Sequence, residues 1–96
     1  MTIDKGINGN LAEISLTGWL DTKTAPEFAA EMDQLPSEVT EIKFDLAELE
    51  YISSAGIRQI VAAYKKMSGN IELLNVSDDV KDLFRMTGLD KKITIR

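Results

Sequence analysis

Residues 42–57 read IKFDLAELEYISSAGI, and this stretch decides the fold. Apolar and polar side chains alternate over residues 42–46, which predicts a strand with one buried face. We interpret residues 47–52 as a loop. A helix should begin at Ser53 or Ser54, because serine is among the favoured N-cap residues. The local spacing allows either serine to be the cap and leaves the other exposed at the positive end of the helix, where a phosphate group is stabilised.

The residues that follow predict two helices and two strands. Gly69 is suited to end the first helix and Gly88 the second, which opens at Ser77. Residues 71–76 carry apolar side chains in both alternating sets and predict an inner strand covered on both faces. Residues 93–95 predict a short last strand. The helix that begins at Ser53 or Ser54 should bury one stripe of side chains: Ile57, Ile60, Val61, Tyr64 and Met67.

The residues before position 42 predict a hairpin and a helix. Asn8 and Gly9 tolerate positive φ and separate the alternating segments 3–7 and 11–17, which is typical of a β-hairpin. Thr24 has capping-box spacing to Glu27, so a helix should start there. That helix should end near Leu35-Pro36 and bury Ala25, Phe28, Ala29 and Met32.

The order of elements is strand, strand, helix, strand, helix, strand, helix, strand. Helices between the later strands favour parallel crossovers, whereas the opening hairpin is antiparallel. We therefore predict one α/β domain over residues 1–96, with a mixed β-sheet and helices packed mainly on one face.

Composition excludes several classes of function. The 96 residues contain neither cysteine nor histidine, which removes catalytic triads, cysteine nucleophiles and zinc fingers. Eleven basic and sixteen acidic side chains give a net charge of −5, which argues against nucleic acid and against anionic lipid surfaces. No apolar run approaches the roughly 20 residues needed to span a bilayer, and no signal peptide is evident. We expect a cytoplasmic protein without membrane insertion, cofactor or metal.

Three side chains leave alternatives open. Asp21 and Asp45 are two carboxylates that invite an acid/base interpretation, but a turn-forming role for Asp21 and a loop-organising role for Asp45 are the simpler expectations. Trp19 is either an exposed recognition aromatic or a packing residue of the core or its rim, and general burial tendencies favour packing.

Four short segments, which follow one another in the order of the predicted elements, resemble a known family. They are residues 18–22 (GWLDT), 44–46 (FDL), 51–57 (YISSAGI) and 88–91 (GLDK). Together they resemble the STAS domain family, and within it the stand-alone anti-sigma factor antagonists. The resemblance covers nearly the whole chain and implies the STAS fold.

The resemblance implies a phosphorylation-switched binding module. Ser54 matches the serine that a partner kinase, which is also the anti-sigma factor, phosphorylates in this family. Ser53 departs from the aspartate that many members carry and becomes a competing acceptor. Gly56 keeps its place, where the missing side chain would let a partner approach the backbone. The implied partner contacts are Asp21, Thr22, Thr24, Ser53, Ser54, Ala55, Gly56 and Arg58.

The implied mechanism is that the unphosphorylated protein docks on the anti-sigma factor/serine kinase and frees a sigma factor, and that phosphorylation removes the affinity. A phosphatase is a further implied partner. The alternative is a non-switching STAS adaptor subunit of a transporter or signalling assembly. A small hydrolase using Asp21, Asp45 and Ser54 is the least favoured interpretation, so we expect no enzyme activity.

Overall fold

The computed structural model describes residues 1–96 and contains five strands and three α-helices in the predicted order. A single 3-10 turn, Leu89–Lys91, follows the last helix. The elements are β1 (Thr2–Asn8), β2 (Leu11–Leu20), α1 (Ala25–Asp33), β3 (Glu41–Ile52), α2 (Ser54–Lys66), β4 (Ile71–Leu74), α3 (Asp78–Thr87) and β5 (Thr94–Ile95).

The strands form one mixed sheet in the order β1-β2-β3-β4-β5. The hairpin β1-β2 is antiparallel, and every other neighbouring pair is parallel. Asn8 pairs with Leu11, so the hairpin loop is Gly9-Asn10, one residue later than predicted. Of these two loop residues only Gly9 has positive φ, at 64°, and glycine adopts that conformation without a steric cost.

The two faces of the sheet differ in chemistry. Ala12 lies opposite Ile42 and Ile14 opposite Phe44, and these buried residues join side chains of all three helices in one core. The other face is polar and carries no helix. Across it, Glu13, Lys43, Glu72 and Thr94 lie in register on four strands. The mixed sheet with helices on one face, predicted from the sequence, is confirmed.

Each helix contributes at least one fully buried large side chain to the core. Phe28 of α1 packs against Phe44, with ring centroids 5.8 Å apart, and Ile60 of α2 and Phe84 of α3 are fully buried. The longest helix, α2, has 13 residues, and none of the helices has the length and apolar character needed to cross a membrane.

The predicted loop over residues 47–52 is wrong, because β3 continues to Ile52. The extra residues are absorbed by register shifts against β2, between the pairs of Ser15 and Thr17 and between those of Gly18 and Trp19. At 47–48 and again at 50–51, two consecutive residues of β3 are exposed. These irregularities interrupt the period of two by which a strand is recognised in a sequence.

Two further predictions need correction. The strand β4 ends at Leu74, and not at residue 76, because Asn75 turns the chain with φ 56°. The strand is not covered fully on both faces, since Leu74 stays partly exposed. In α2, Ala63 is buried, whereas Val61 and Tyr64 pack at the margin of the core.

Candidate functional site

The two segments singled out in the sequence meet at the carboxyl ends of β2 and β3. Leu20 and Ile52 are paired across the two strands. The Ser53 N–H then donates to the Leu20 carbonyl over 2.9 Å. Asp21 follows Leu20 directly, so the turn at residues 21–24 and the start of α2 lie at the same edge of the sheet.

The two serines at the start of α2 have different environments. Ser53 is the N-cap, in extended conformation, and its Oγ accepts from the Gly56 N–H over 3.2 Å. Ser54 is the first helical residue, is exposed, and its hydroxyl makes no hydrogen bond within the chain. The sequence allowed either serine to be the N-cap. In the structure Ser53 is the cap, and Ser54 has the free hydroxyl.

The electrostatics at this end of α2 favour an anion. The first turn contains no acidic side chain, the helix dipole places partial positive charge there, and Arg58 is exposed one turn later. Ala62 and Lys65 continue the same face, and both are exposed, as the helical spacing predicts. Ser54 is thus the end of an accessible strip along α2.

Gly56 has a structural role that differs from the expected one. It is buried, and a Cβ built on it would lie 2.4 Å from the Leu20 carbonyl oxygen and 2.7 Å from Ile52 Cγ1. The missing side chain lets α2 approach the end of β2. The close approach that the structure shows is therefore internal to the domain, between α2 and β2, and contact of Gly56 with a partner stays a prediction.

The turn at residues 21–24 is organised by Asp21. Its Oδ1 accepts from the Lys23 and Thr24 N–H groups over 3.0 and 3.1 Å. The Thr24 N–H, then the Thr24 hydroxyl and the Lys23 N–H and charge, lower the pKa of Asp21, while partial desolvation opposes the shift. Thr22 is exposed at the tip of the turn.

The predicted capping box at α1 is wrong. The Thr24 Oγ1 accepts from the Asp21 N–H and donates to the Trp19 carbonyl, each over 2.9 Å, and makes no cap bond to α1. The helix does begin at Ala25, whose N–H donates to the Asp21 carbonyl over 2.8 Å. Thr24 therefore links the turn to the end of β2, and the reciprocal bond expected from Glu27 is absent.

Asp45 lies inside β3, at the first register shift against β2. Its Oδ1 accepts from the Ala47 N–H over 3.0 Å and from Asn75 Nδ2 over 3.1 Å, which ties β3 to the residue after β4. Asp21 thus holds a turn, as expected, whereas Asp45 holds an irregularity within a strand rather than the predicted loop. No group of three or more acidic side chains is arranged to hold a metal ion.

Sequence reasoning missed an exposed aromatic pair beside the turn. Trp19 is 54% exposed and Tyr51 41% exposed, and their ring centroids are 5.4 Å apart. The favoured packing role for Trp19 is therefore wrong. The signal was the position of Trp19 at the end of β2, but the partner ring was hidden because residues 47–52 did not look like a strand.

The fold and this edge define a small α/β domain with an accessible serine at a helix start. The STAS domain family model matches residues 2–96, and the chain belongs to that family. An anti-sigma-B factor antagonist of Bacillus subtilis is 26% identical over 98 residues, covering 99% of this chain and 90% of the relative. Another, from Listeria monocytogenes, is 32% identical over 89 residues, covering 88% and 77%.

Solved structures agree with the fold. The unphosphorylated form of the anti-sigma factor antagonist SpoIIAA matches with a TM-score of 0.83 at 20% identity, covering 99% of this chain and 88% of that one. The phosphorylated form of SpoIIAA, from Bacillus, matches with a TM-score of 0.69 at 18% identity, covering 99% and 91%. At these identities the likeness concerns the fold.

Proposed function

We propose that this protein is an anti-sigma factor antagonist that is switched by phosphorylation of Ser54. The observation that carries the proposal is that the two serines at the start of α2 differ. Ser53 caps the helix, and Ser54 presents a free, exposed hydroxyl. The names of the related antagonists support the partner class. The role is regulatory binding, and we assign the domain no enzyme activity.

The proposed partner is an anti-sigma factor that is also a serine kinase, met in the cytoplasm. A phosphatase that removes the phosphate would complete the cycle. Docking would use the accessible residues at the edge where β2 and β3 end, together with the outer strip of α2. The proposed contacts are Asp21, Thr22, Thr24, Ser53, Ser54, Ala55 and Arg58, with Gly56 acting from the interior.

The proposed switch follows from the charge of a phosphate. Phosphorylation adds roughly −1.5 to −2 charge, which the first amides of α2 and Arg58 stabilise, so the domain stays folded. The docked kinase must bring nucleotide phosphates to the same hydroxyl. A phosphoserine would then place like charges and desolvated oxygens in one contact, which weakens the complex.

Three serine variants test the site. Ser54→Ala should block phosphate incorporation and retain partner binding, whereas Ser54→Asp should bind more weakly. Ser53→Ala should still be phosphorylated but lose about 0.5–2 kcal/mol of stability, because it removes the N-cap. Mass spectrometry after incubation with the purified kinase and ATP gives the modified residue. Phosphate that persists in Ser54→Ala and vanishes in Ser53→Ala would move the site to Ser53.

A charge reversal tests the surface. Arg58→Glu should weaken partner binding without unfolding the domain, because the side chain is exposed on the proposed strip. Arg85→Glu on α3 is the control; Arg85 is also exposed but pairs with Asp82, so the fold of this variant is checked before its binding is compared. Loss of binding in the control, with Arg58→Glu unaffected, would place the interface on α3 instead.

The adaptor alternative makes a different prediction for the same samples. A non-switching STAS adaptor would form a constitutive complex, and no variant would take up phosphate from its cognate partner. Intact-mass measurement of the protein co-purified from its native cells reports the partner and the phosphate together, so one sample separates the two functions.

A further inference from the structure

Trp19 and Tyr51 form a pair of exposed aromatic side chains that contact each other. The exposed large hydrophobic residues are Ile7, Trp19, Tyr51 and Met86, and the two aromatic rings among them are in contact. Trp19 is also the only tryptophan of the chain. Tryptophan and tyrosine dominate the binding energy of protein interfaces, because they bury a large area for few rotatable bonds.

The pair is held in place before any partner binds. Trp19 and Tyr51 are opposite each other in the β2-β3 register. The indole Nε1–H donates to Glu50 Oε2 over 3.1 Å, and the Trp19 carbonyl accepts from Thr24 Oγ1 over 2.9 Å. The Glu50 bond and the contact with the Tyr51 ring restrain the indole, so it loses less conformational entropy on binding than a free side chain, which favours affinity.

The pair is also continuous with the proposed docking edge. Trp19 lies two residues before Asp21, and Tyr51 lies two residues before Ser53, at the ends of paired strands. A partner that covers the turn and the start of α2 therefore meets the rings at the border of the same surface.

The charge around the rings selects the chemistry of the partner. Glu48 and Glu50 are exposed on the same stretch of β3, and the whole chain carries a net charge of −5. The faces of indole and phenol rings attract cations, and carboxylates beside them strengthen that attraction. An arginine or lysine side chain fits both features.

We propose that the Trp19–Tyr51 pair anchors the anti-sigma factor and receives a basic side chain of that partner. The inference rests on the proposed function and adds to it a specific anchor outside the serine. It assigns Trp19 and Tyr51 most of the affinity at this border, and Glu48 and Glu50 the attraction of the incoming cation.

The single tryptophan makes a direct test possible. The chain is labelled with 5-fluorotryptophan, so that it gives one ¹⁹F resonance, and is titrated with the purified, unlabelled anti-sigma factor kinase of its own organism. Burial of the indole should shift this resonance and reduce its response to a soluble paramagnetic agent. A resonance that stays unchanged while the complex forms would overturn the proposal.

Substitutions measure the size of the effect. Trp19→Ala and Tyr51→Ala should each weaken binding by about tenfold or more, as anchor residues do. Met86→Ala, which removes an even more exposed side chain from α3, should change it less than about twofold. Circular dichroism checks the fold of each variant, and Trp19→Phe, which keeps a ring, should retain more binding than Trp19→Ala.

A charge reversal and the salt dependence of binding test whether the partner contributes a basic side chain. Glu48→Lys should weaken binding and reduce its dependence on salt, because it replaces attraction by repulsion. Affinity that does not change with salt or with Glu48→Lys would overturn the basic side chain. If the kinase binds and Ser54→Asp weakens the complex while Trp19→Ala does not, the anchor is wrong and the proposed function stands. If the kinase does not bind the wild-type protein at all, both are wrong.

Discussion

At the scale of single residues, adjacent positions carry different physical roles. Ser53 satisfies an amide of α2, Ser54 offers its hydroxyl to solvent, and Gly56 leaves room for the Leu20 carbonyl. The cap and the glycine are requirements of the fold, and they fix the helix start on which Ser54 stands. The proposed phosphate acceptor is thus positioned by neighbours that have a structural role.

Gly56 gives the first prediction. Alanine in place of a helical glycine normally stabilises by about 0.5–1 kcal/mol, but here the new Cβ would meet a backbone oxygen at 2.4 Å. Gly56→Ala should therefore lower the free energy of unfolding by about 1–3 kcal/mol, since the helix must shift away from β2. Denaturant titration measures the change. Gly6→Ala is the control, because its Cβ would lie 4.0 Å from the nearest atom, and equal effects at both glycines would contradict the packing argument.

Asp21 gives a prediction about pH. Its native pKa is lowered by hydrogen bonds to its carboxylate, so ionised Asp21 favours the folded state. This contribution is complete above the ordinary aspartate pKa of about 3.9 and is lost as the pH falls through the lowered native pKa. The stability difference between the wild-type protein and Asp21→Asn, measured by urea unfolding, should therefore shrink as the medium is acidified below about pH 4. A difference that grows on acidification would contradict the sign of the shift.

At the scale of secondary-structure elements, α2 joins the core to the proposed docking edge. One side of the helix buries Ile57, Ile60 and Ala63, and the opposite side carries the exposed strip that starts at Ser54. The apolar side fixes the rotation of the helix, and that rotation decides which side chains a partner can reach.

Two substitutions on α2 separate its faces. Ile60→Ala should cost about 2–5 kcal/mol, because Ile60 is fully buried and its loss leaves a cavity. Lys65→Ala should cost little, since Lys65 is exposed near the end of the helix. Thermal and chemical unfolding of both variants give the comparison. Equal losses at the two sites would mean that the helix is rotated from the orientation described.

The elements also show where the sequence was sufficient. Ser77 and Gly88 were predicted as the ends of α3, and both are confirmed, because a serine cap and a left-handed glycine are local signals. The end of β3 was missed because register shifts against β2 depend on the neighbouring strand. The same reason hid the Trp19–Tyr51 contact, which exists only in the paired sheet. Which of the two serines has the free hydroxyl could not be predicted, because the local spacing suits either as the cap, and only the structure shows Ser53 in that role.

At the scale of the whole molecule, the core and the site are separated by the sheet geometry. A single cluster of 22 buried residues fills the helix-covered face, and no polar side chain is buried in it. The proposed docking surface lies at one edge, where strands and helix starts meet solvent. A change of charge at that edge is therefore far from the core, and we expect it to act on a partner.

The last prediction follows from this separation. Phosphate on Ser54 should not lower the hydrogen-exchange protection of the amides in the centre of β2 and β3, because these amides report opening of the whole core and the folded domain stabilises the phosphate. The largest rise in protection should fall near the start of α2, where the new oxygens accept from helix amides and attract Arg58. Hydrogen-exchange mass spectrometry of the phosphorylated and unphosphorylated protein gives this map, with Ser54→Ala treated by the same kinase as the control. Faster exchange throughout the sheet would mean that the phosphate acts by destabilising the domain, and the loss of partner binding would then need no repulsion at the interface.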